Sequence, residues 1–232
     1  MHSAIRVGLI GDLNEAQRAH QAIPKTLQAV SEVECVWIPT ESAGTDALTG
    51  YDGFWCVPGM PYRNAEGAMR AIQYARMTRT PFLGTSAGFQ YAIVEFARHV
   101  LGLVEADHQK SNPKTSVPLI SPLGCALAGV QARVRFMDGS HLRKAYGAPE
   151  SVEEYHCSFG VNGRYRRLLE GNDLYVAAID DQHEIRAVEL DGHPFFVATL
   201  FQPEMRAGKS PIVEAFVHTC ARRRNQATKA AS

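Results

Sequence analysis

The chain has 232 residues, 24 Lys+Arg against 24 Asp+Glu, and no formal net charge. That length fits one large domain or two small ones, since domains commonly run to roughly 100–200 residues. A hydrophobic share of 45% against 21% charged residues supports a sizeable core and excludes the disordered class. A neutral chain has no basic field to hold a phosphate backbone, which argues against nucleic acid and for a small ligand or another protein as partner.

Five cysteines (Cys35, Cys56, Cys125, Cys157 and Cys220) are scattered and never form a C-x-x-C pair. This is neither a disulfide framework nor a zinc site, and it suits a reducing, cytoplasmic setting with no cofactor or metal. The N-terminal apolar run reaches Gly11-Asp12 after only about five residues, too short for a signal peptide or a membrane span. The basic, polar tail over 222–232 reads as a frayed end.

Ile5–Gly11 is a continuous apolar run, the pattern of a strand buried on both faces. A helix is predicted over Glu15–Glu32, disturbed at Pro24. Strands follow at Val33–Pro39, Gly53–Pro58 and Pro81–Ser86, with helices at Ala65–Arg76 and Ala87–Leu101. This alternation predicts a mostly parallel sheet with helices on both faces. The region Asp107–Pro122 carries three prolines and reads as a long surface loop. Strand-like segments at Gly124–Met137, Glu153–Gly160, Leu174–Asp180, Glu184–Leu190 and Pro194–Phe201 look like antiparallel additions, and a helix over Ser210–Arg224 closes the chain. With no repeat and no linker, one α/β domain is expected, with its core over about 5–224.

Gly84-Thr85-Ser86-Ala87-Gly88 matches G-x-S-x-G after an apolar strand and before a helix, the context a nucleophile elbow requires. The following backbone N–H groups, at a helix N-terminus, suit a developing oxyanion. As a bare pattern G-x-S-x-G is common, and Ser86 merely capping the helix is the plain alternative.

Longer matches surround the elbow. Pro58-Gly59, Arg63, Glu66-Gly67, Ala71–Arg76, Pro81–Gly84, Gly88–Gln90, Ala92–Leu103, Val161-Asn162, Phe195–Ala198 and Phe201–Glu204 resemble, in order, the glutaminase domain of CTP synthase. That domain is a class I glutamine amidotransferase, of flavodoxin-like fold. The resemblance runs from about Ile5 to Phe216 and implies that the chain holds the glutaminase half alone, without the nucleotide-binding synthetase half.

In that family a Cys on the elbow attacks the glutamine amide, a His moves the proton and a Glu orients the His. By resemblance these positions are Ser86, Gln202 and Glu204. A serine hydroxyl needs a base within hydrogen-bond reach, and an amide cannot take a proton, so standard glutaminase activity is not expected. Gly59 and the Ala87 N–H match the oxyanion-hole positions, Gln90 and Glu95 match positions that touch glutamine, and Glu95 suits an α-ammonium group. The Arg expected on the substrate carboxylate aligns with Ser158, which removes a charge-assisted clamp.

The leading expectation is a binding or regulatory protein, or a repurposed pocket, holding an amino-acid-like small molecule, with a protein partner or a second copy of the chain. The alternative is a hydrolase or acyl-transfer enzyme using Ser86 with a non-standard base. His156 is the base candidate. His193 is placed at the opposite end of the sheet, and His108, His141 and His183 in loops without ligand spacing. Cys157 reads as a displaced thiol or a buried structural one, and Asp138, Glu153 and Glu154 as solvated charges.

Overall fold

The computed structural model describes residues 4–230. In chain order the elements are β1 (Ile5–Ile10), α1 (Arg18–Gln28), β2 (Val33–Ile38), β3 (Gly53–Cys56), α2 (Ala65–Met77), β4 (Phe82–Thr85), α3 (Ala87–His99), β5 (Ala106–His108), β6 (Val117–Phe136), α4 (His141–Tyr146), β7 (Glu150–Val161), β8 (Leu174–Ile179), β9 (Ile185–Leu190), β10 (Phe196–Thr199) and α5 (Pro211–Ala230).

Among the described residues one ten-stranded sheet forms, ordered β2-β1-β3-β4-β10-β9-β8-β6-β5, with β7 paired to β6 off that path. The first five strands of that order are parallel, and β9, β8 and β6 then continue antiparallel. The expected α/β architecture with antiparallel additions in the C-terminal half is what the chain adopts. The reason is visible in β1, β3, β4 and β10, which are almost wholly buried, as strands covered by helices on both faces must be. One apolar core joins the two halves, with Phe82 on β4 and Phe196 on β10 stacked at 4.4 Å between ring centroids.

Four expectations are corrected. The proline-rich region is not one long loop: β5 and the start of β6 occupy both of its ends. Pro118 and Pro122 are tolerated there because the β5 ladder shifts register beside Pro118 and the β7 ladder breaks just after Pro122, and prolines enter strands at such irregularities. The tail is not frayed through its described part, because α5 continues to Ala230; residues 231 and 232 lie outside the described residues. Helix α1 is shorter than expected at both ends, yet it passes through Pro24. Its buried stripe of Ala19, His20, Ile23 and Leu27 holds it against the sheet. Glu153, read as a solvated charge, is buried and paired with Arg206 at 2.7 Å.

Strand register decides where a site can form. Thr199 pairs with Thr85, so the chain leaves β10 and β4 at the same edge of the sheet. The turns after β1, β3, β4 and β10 all gather at these carboxyl ends, where open α/β sheets bind ligands. No helix among the described residues is long and apolar enough to cross a membrane.

Candidate functional site

Ser86 occupies the sharp turn between β4 and α3 with φ 53° and ψ −102°. A side-chain-bearing residue with positive φ is strained by about 1–3 kcal/mol and persists only where its surroundings hold it. Here the Ser86 N–H donates to Thr199 O at 2.9 Å, pinning the turn to β10. The flanking glycines are required by close approach. A Cβ on Gly88 would fall 2.1 Å from Cys56 O, and one on Gly84 would fall 2.9 Å from the Gly88 carbonyl. The G-x-S-x-G spacing is therefore the steric condition for pressing this turn against β3.

A cavity of about 370 Å³ opens above the turn. Ser86, Gln90, Gly59, Ser158 and Gln202 all line it, together with Cys157, His108 and His156. Helical geometry explains Gln90: four residues beyond Ser86 it lies about 40° around the axis and one turn along, on the same face. Ala87 is fully buried as the first residue of α3, where its N–H has no intrahelical partner.

Glu95 is placed elsewhere, and the ammonium role inferred for it does not fit. Nine residues from Ser86 it lies about 180° around the helix and roughly 13 Å along it. Arg76 grips it with two bonds, Nε to Oε2 at 3.1 Å and NH2 to Oε1 at 2.7 Å, and His99 Nδ1 stands 3.3 Å from Oε1. Glu95 is wholly buried and is not part of the cavity wall.

At the floor, Ser86 Oγ lies 2.9 Å from Cys157 Sγ, and that thiol donates to Leu200 O at 3.3 Å. Burial pushes the Cys157 thiol up to about 11, so the sulfur keeps its proton at neutral pH. With that proton directed to Leu200, the Ser86 hydroxyl is left to donate to a neutral sulfur, which is no base. No histidine nitrogen hydrogen-bonds Ser86 among the described residues. His156 turns instead to Glu154, with Nε2 2.6 Å from Oε1. His193 is placed as expected, at the far end of β10 against Ala75 O.

Gln202 follows β10 and is only 4% exposed. Its N–H donates to Glu154 O at 2.8 Å, while its carboxamide faces the cavity with no side-chain hydrogen bond among the described residues. Behind it, Glu204 Oε1 accepts from Thr85 Oγ1 at 3.4 Å, and Thr85 accepts from Trp55 Nε1 at 3.0 Å. Glu204 Oε2 is buried without a partner. Burial pushes this carboxyl up to about 8, so it is mostly protonated at pH 7.

The wall holds residues that no local pattern exposed. His108 stands buried beside Gln90: the Lys110 N–H donates to its Nδ1 at 3.1 Å, which puts its proton on Nε2, facing Gln90 Oε1 at 3.0 Å. Gln90 Nε2 in turn donates to Phe159 O at 2.9 Å. Burial holds His108 down at about 4, consistent with that neutral tautomer. Arg18 and Lys110 complete the rim. His108 ends the short strand β5 and Lys110 lies in the turn just after it, inside the region expected to be a loop.

A strained elbow after a parallel strand, a helix N-terminus behind it and a cavity at the carboxyl edge of the sheet define an amidotransferase-type site. The chain belongs to the class I glutamine amidotransferase family, whose model, "Glutamine amidotransferase class-I", matches residues 14–219. Within that family it resembles the glutaminase domain of CTP synthase. It is 30% identical to CTP synthase of Helicobacter pylori over 92% of this chain and 45% of that protein, and 31% identical to CTP synthase of Saccharolobus solfataricus over 94% and 45%. The chain thus spans less than half the length of these relatives. Among solved structures, the Trypanosoma brucei CTP synthase glutaminase domain with bound acivicin superposes with a TM-score of 0.87 at 22% identity, covering 94% of each chain. A glutamine amidotransferase from Thermotoga maritima superposes with a TM-score of 0.58 at 11% identity, covering 99% of this chain and 84% of that one.

Proposed function

We propose that this chain is an amidotransferase-like binding or regulatory protein whose pocket no longer performs standard glutaminase chemistry. The reading takes Ser86, Gln202 and Glu204 as the positions of the family's nucleophile, base and orienting acid. The observation that carries it is the partner of Ser86: a thiol kept protonated by burial, 2.9 Å away. A hydroxyl without a proton acceptor is a poor nucleophile at neutral pH, and losing one member of a catalytic unit costs orders of magnitude in rate. The pocket itself persists, with Gly59, Gln90, Ser158 and Gln202 in its wall, which supports binding of a small molecule; the scattered, unpaired cysteines are what favour a cytoplasmic setting.

The purified chain is expected to release no ammonia from glutamine at enzymatic rates. Release at such rates, abolished by Ser86→Ala, would overturn the proposal. The strained backbone at Ser86 favours one other reading, a hydrolase or acyl-transfer enzyme with an unconventional base. A fluorophosphonate probe separates the two: the binding reading expects no label on Ser86, and the hydrolase reading requires it.

A further inference from the structure

The geometry points to a small organic anion as the ligand of this pocket: a carboxylate-bearing amide or acyl compound without an ammonium group. This rests on the reading above that the cavity at Ser86 binds a small molecule, and it adds the charge class of that molecule.

The cavity has an uncharged floor and a cationic rim. Ser86, Cys157, Ser158 and Gln202 form the floor, Arg18 and Lys110 stand on the rim, and no aspartate or glutamate lines the wall. Glu95 is committed to Arg76 and His99 on the far side of α3. Glu154, which contacts the wall residues His156 and Arg18, is already engaged: its Oε1 lies 2.6 Å from His156 Nε2 and 3.9 Å from Arg18 NH1. Glu154 therefore balances part of Arg18. Lys110 has no ion pair with any carboxylate among the described residues, which leaves the rim positive.

Such a wall discriminates by charge. A carboxylate entering it meets Lys110 and Arg18, which can give it charge-assisted hydrogen bonds. An α-ammonium finds no carboxylate to receive it and faces the field of Lys110. The inner end of the ligand meets a different group. The Gln202 carboxamide, 4% exposed and unpaired, offers one acceptor and two donors, the complement of an amide. A molecule with a carboxylate at one end and a neutral amide at the other uses both.

Calorimetric titration of the full chain with glutaramate, glutarate and L-glutamine tests this, because glutaramate is glutamine without its ammonium group. Glutaramate is expected to bind about tenfold or more tightly than glutamine, and the preference should shrink as salt is added. Lys110→Glu, a surface change whose folding is checked by thermal melting, should remove or reverse the preference. Glutamine binding as tightly as glutaramate or tighter would overturn the anion assignment while leaving the small-molecule pocket intact. A preference that survives Lys110→Glu unchanged would also overturn it. Absence of binding by all three at millimolar concentration would overturn both the assignment and the reading beneath it.

Discussion

Glu95 and Glu204 are both almost wholly buried, both lie within a short distance of Ser86 in sequence or space, and their environments are opposite. Glu95 has two bonds from Arg76 and a third contact from His99. Glu204 has one long bond from Thr85 and an orphaned oxygen. A buried carboxylate that is fully paired holds the fold together. One that is poorly paired stays protonated and weakens the fold as soon as it must ionise. The fold is thus well satisfied behind α3 and poorly satisfied behind Gln202, a difference between the two glutamates that burial alone does not reveal.

The largest effect should come from breaking the satisfied side. Glu95→Ala leaves the Arg76 guanidinium without its partner, and removing one member of a buried pair costs about 3–5 kcal/mol. Because the Arg76 side chain keeps 17% exposure, the lower end is expected, measured by urea denaturation. Ligand affinity at the cavity should not move. A loss below about 1 kcal/mol, or a pocket that empties with the variant, would break the contrast by showing that Glu95 serves the site.

On the other side the sign reverses. The Glu204 carboxyl titrates near 8 in the folded chain against 4.5 for the ordinary group. Between those values the folded state holds a proton that the unfolded state has released, so stability falls as pH rises through that window. Glu204→Gln keeps the neutral shape and removes the titration. It should leave stability near pH 4.5 unchanged and raise it at pH 8.5 by on the order of a few kcal/mol. Thermal melts of both proteins across that range check this, and parallel pH profiles would mean that Glu204 is already ionised and partnered.

The same contrast shows what the sequence could reveal. The parallel half was legible because β1, β3 and β4 are buried on both faces and read as unbroken apolar runs bounded by Gly, Pro and Asp. Ser86 was legible because the turn's close contacts, Gly88 against β3 and Gly84 against Gly88, demand glycine on either side at fixed spacing. Glu95 stands apart from the cavity wall: the resemblance marked its position, while the 100° step along α3 puts it about 140° around the helix from Gln90. His108 was hidden because prolines at 113, 118 and 122 disguised a strand edge as a loop, and Lys110, in the turn after that strand, carries no local signal of its own. The Ser86–Cys157 pairing depends on the side-chain facing of β7, which reverses with a single-residue shift in register. No local pattern fixes that register across the irregularities of the β6–β7 ladder.

The smallest expected effect concerns the elbow itself. At φ 53° and ψ −102° any residue with a Cβ is strained, and glycine is not. Ser86→Ala removes the hydroxyl and keeps the strain, whereas Ser86→Gly removes both. Glycine also adds freedom to the unfolded chain, which offsets roughly 0.4–1 kcal/mol of the relief. Against strain of about 1–3 kcal/mol, Ser86→Gly should come out more stable than Ser86→Ala by about 1 kcal/mol. Paired denaturation curves at one pH read this directly. Equal stabilities would mean that the contacts of β4, β10 and α3 hold the turn without strain, leaving the serine's conformation no cost for function to justify. The expected gap means that the chain tolerates a strained residue at the floor of a cavity where the thiol beside it is not a base. Under the proposed binding reading, such strain would serve recognition rather than nucleophilic attack.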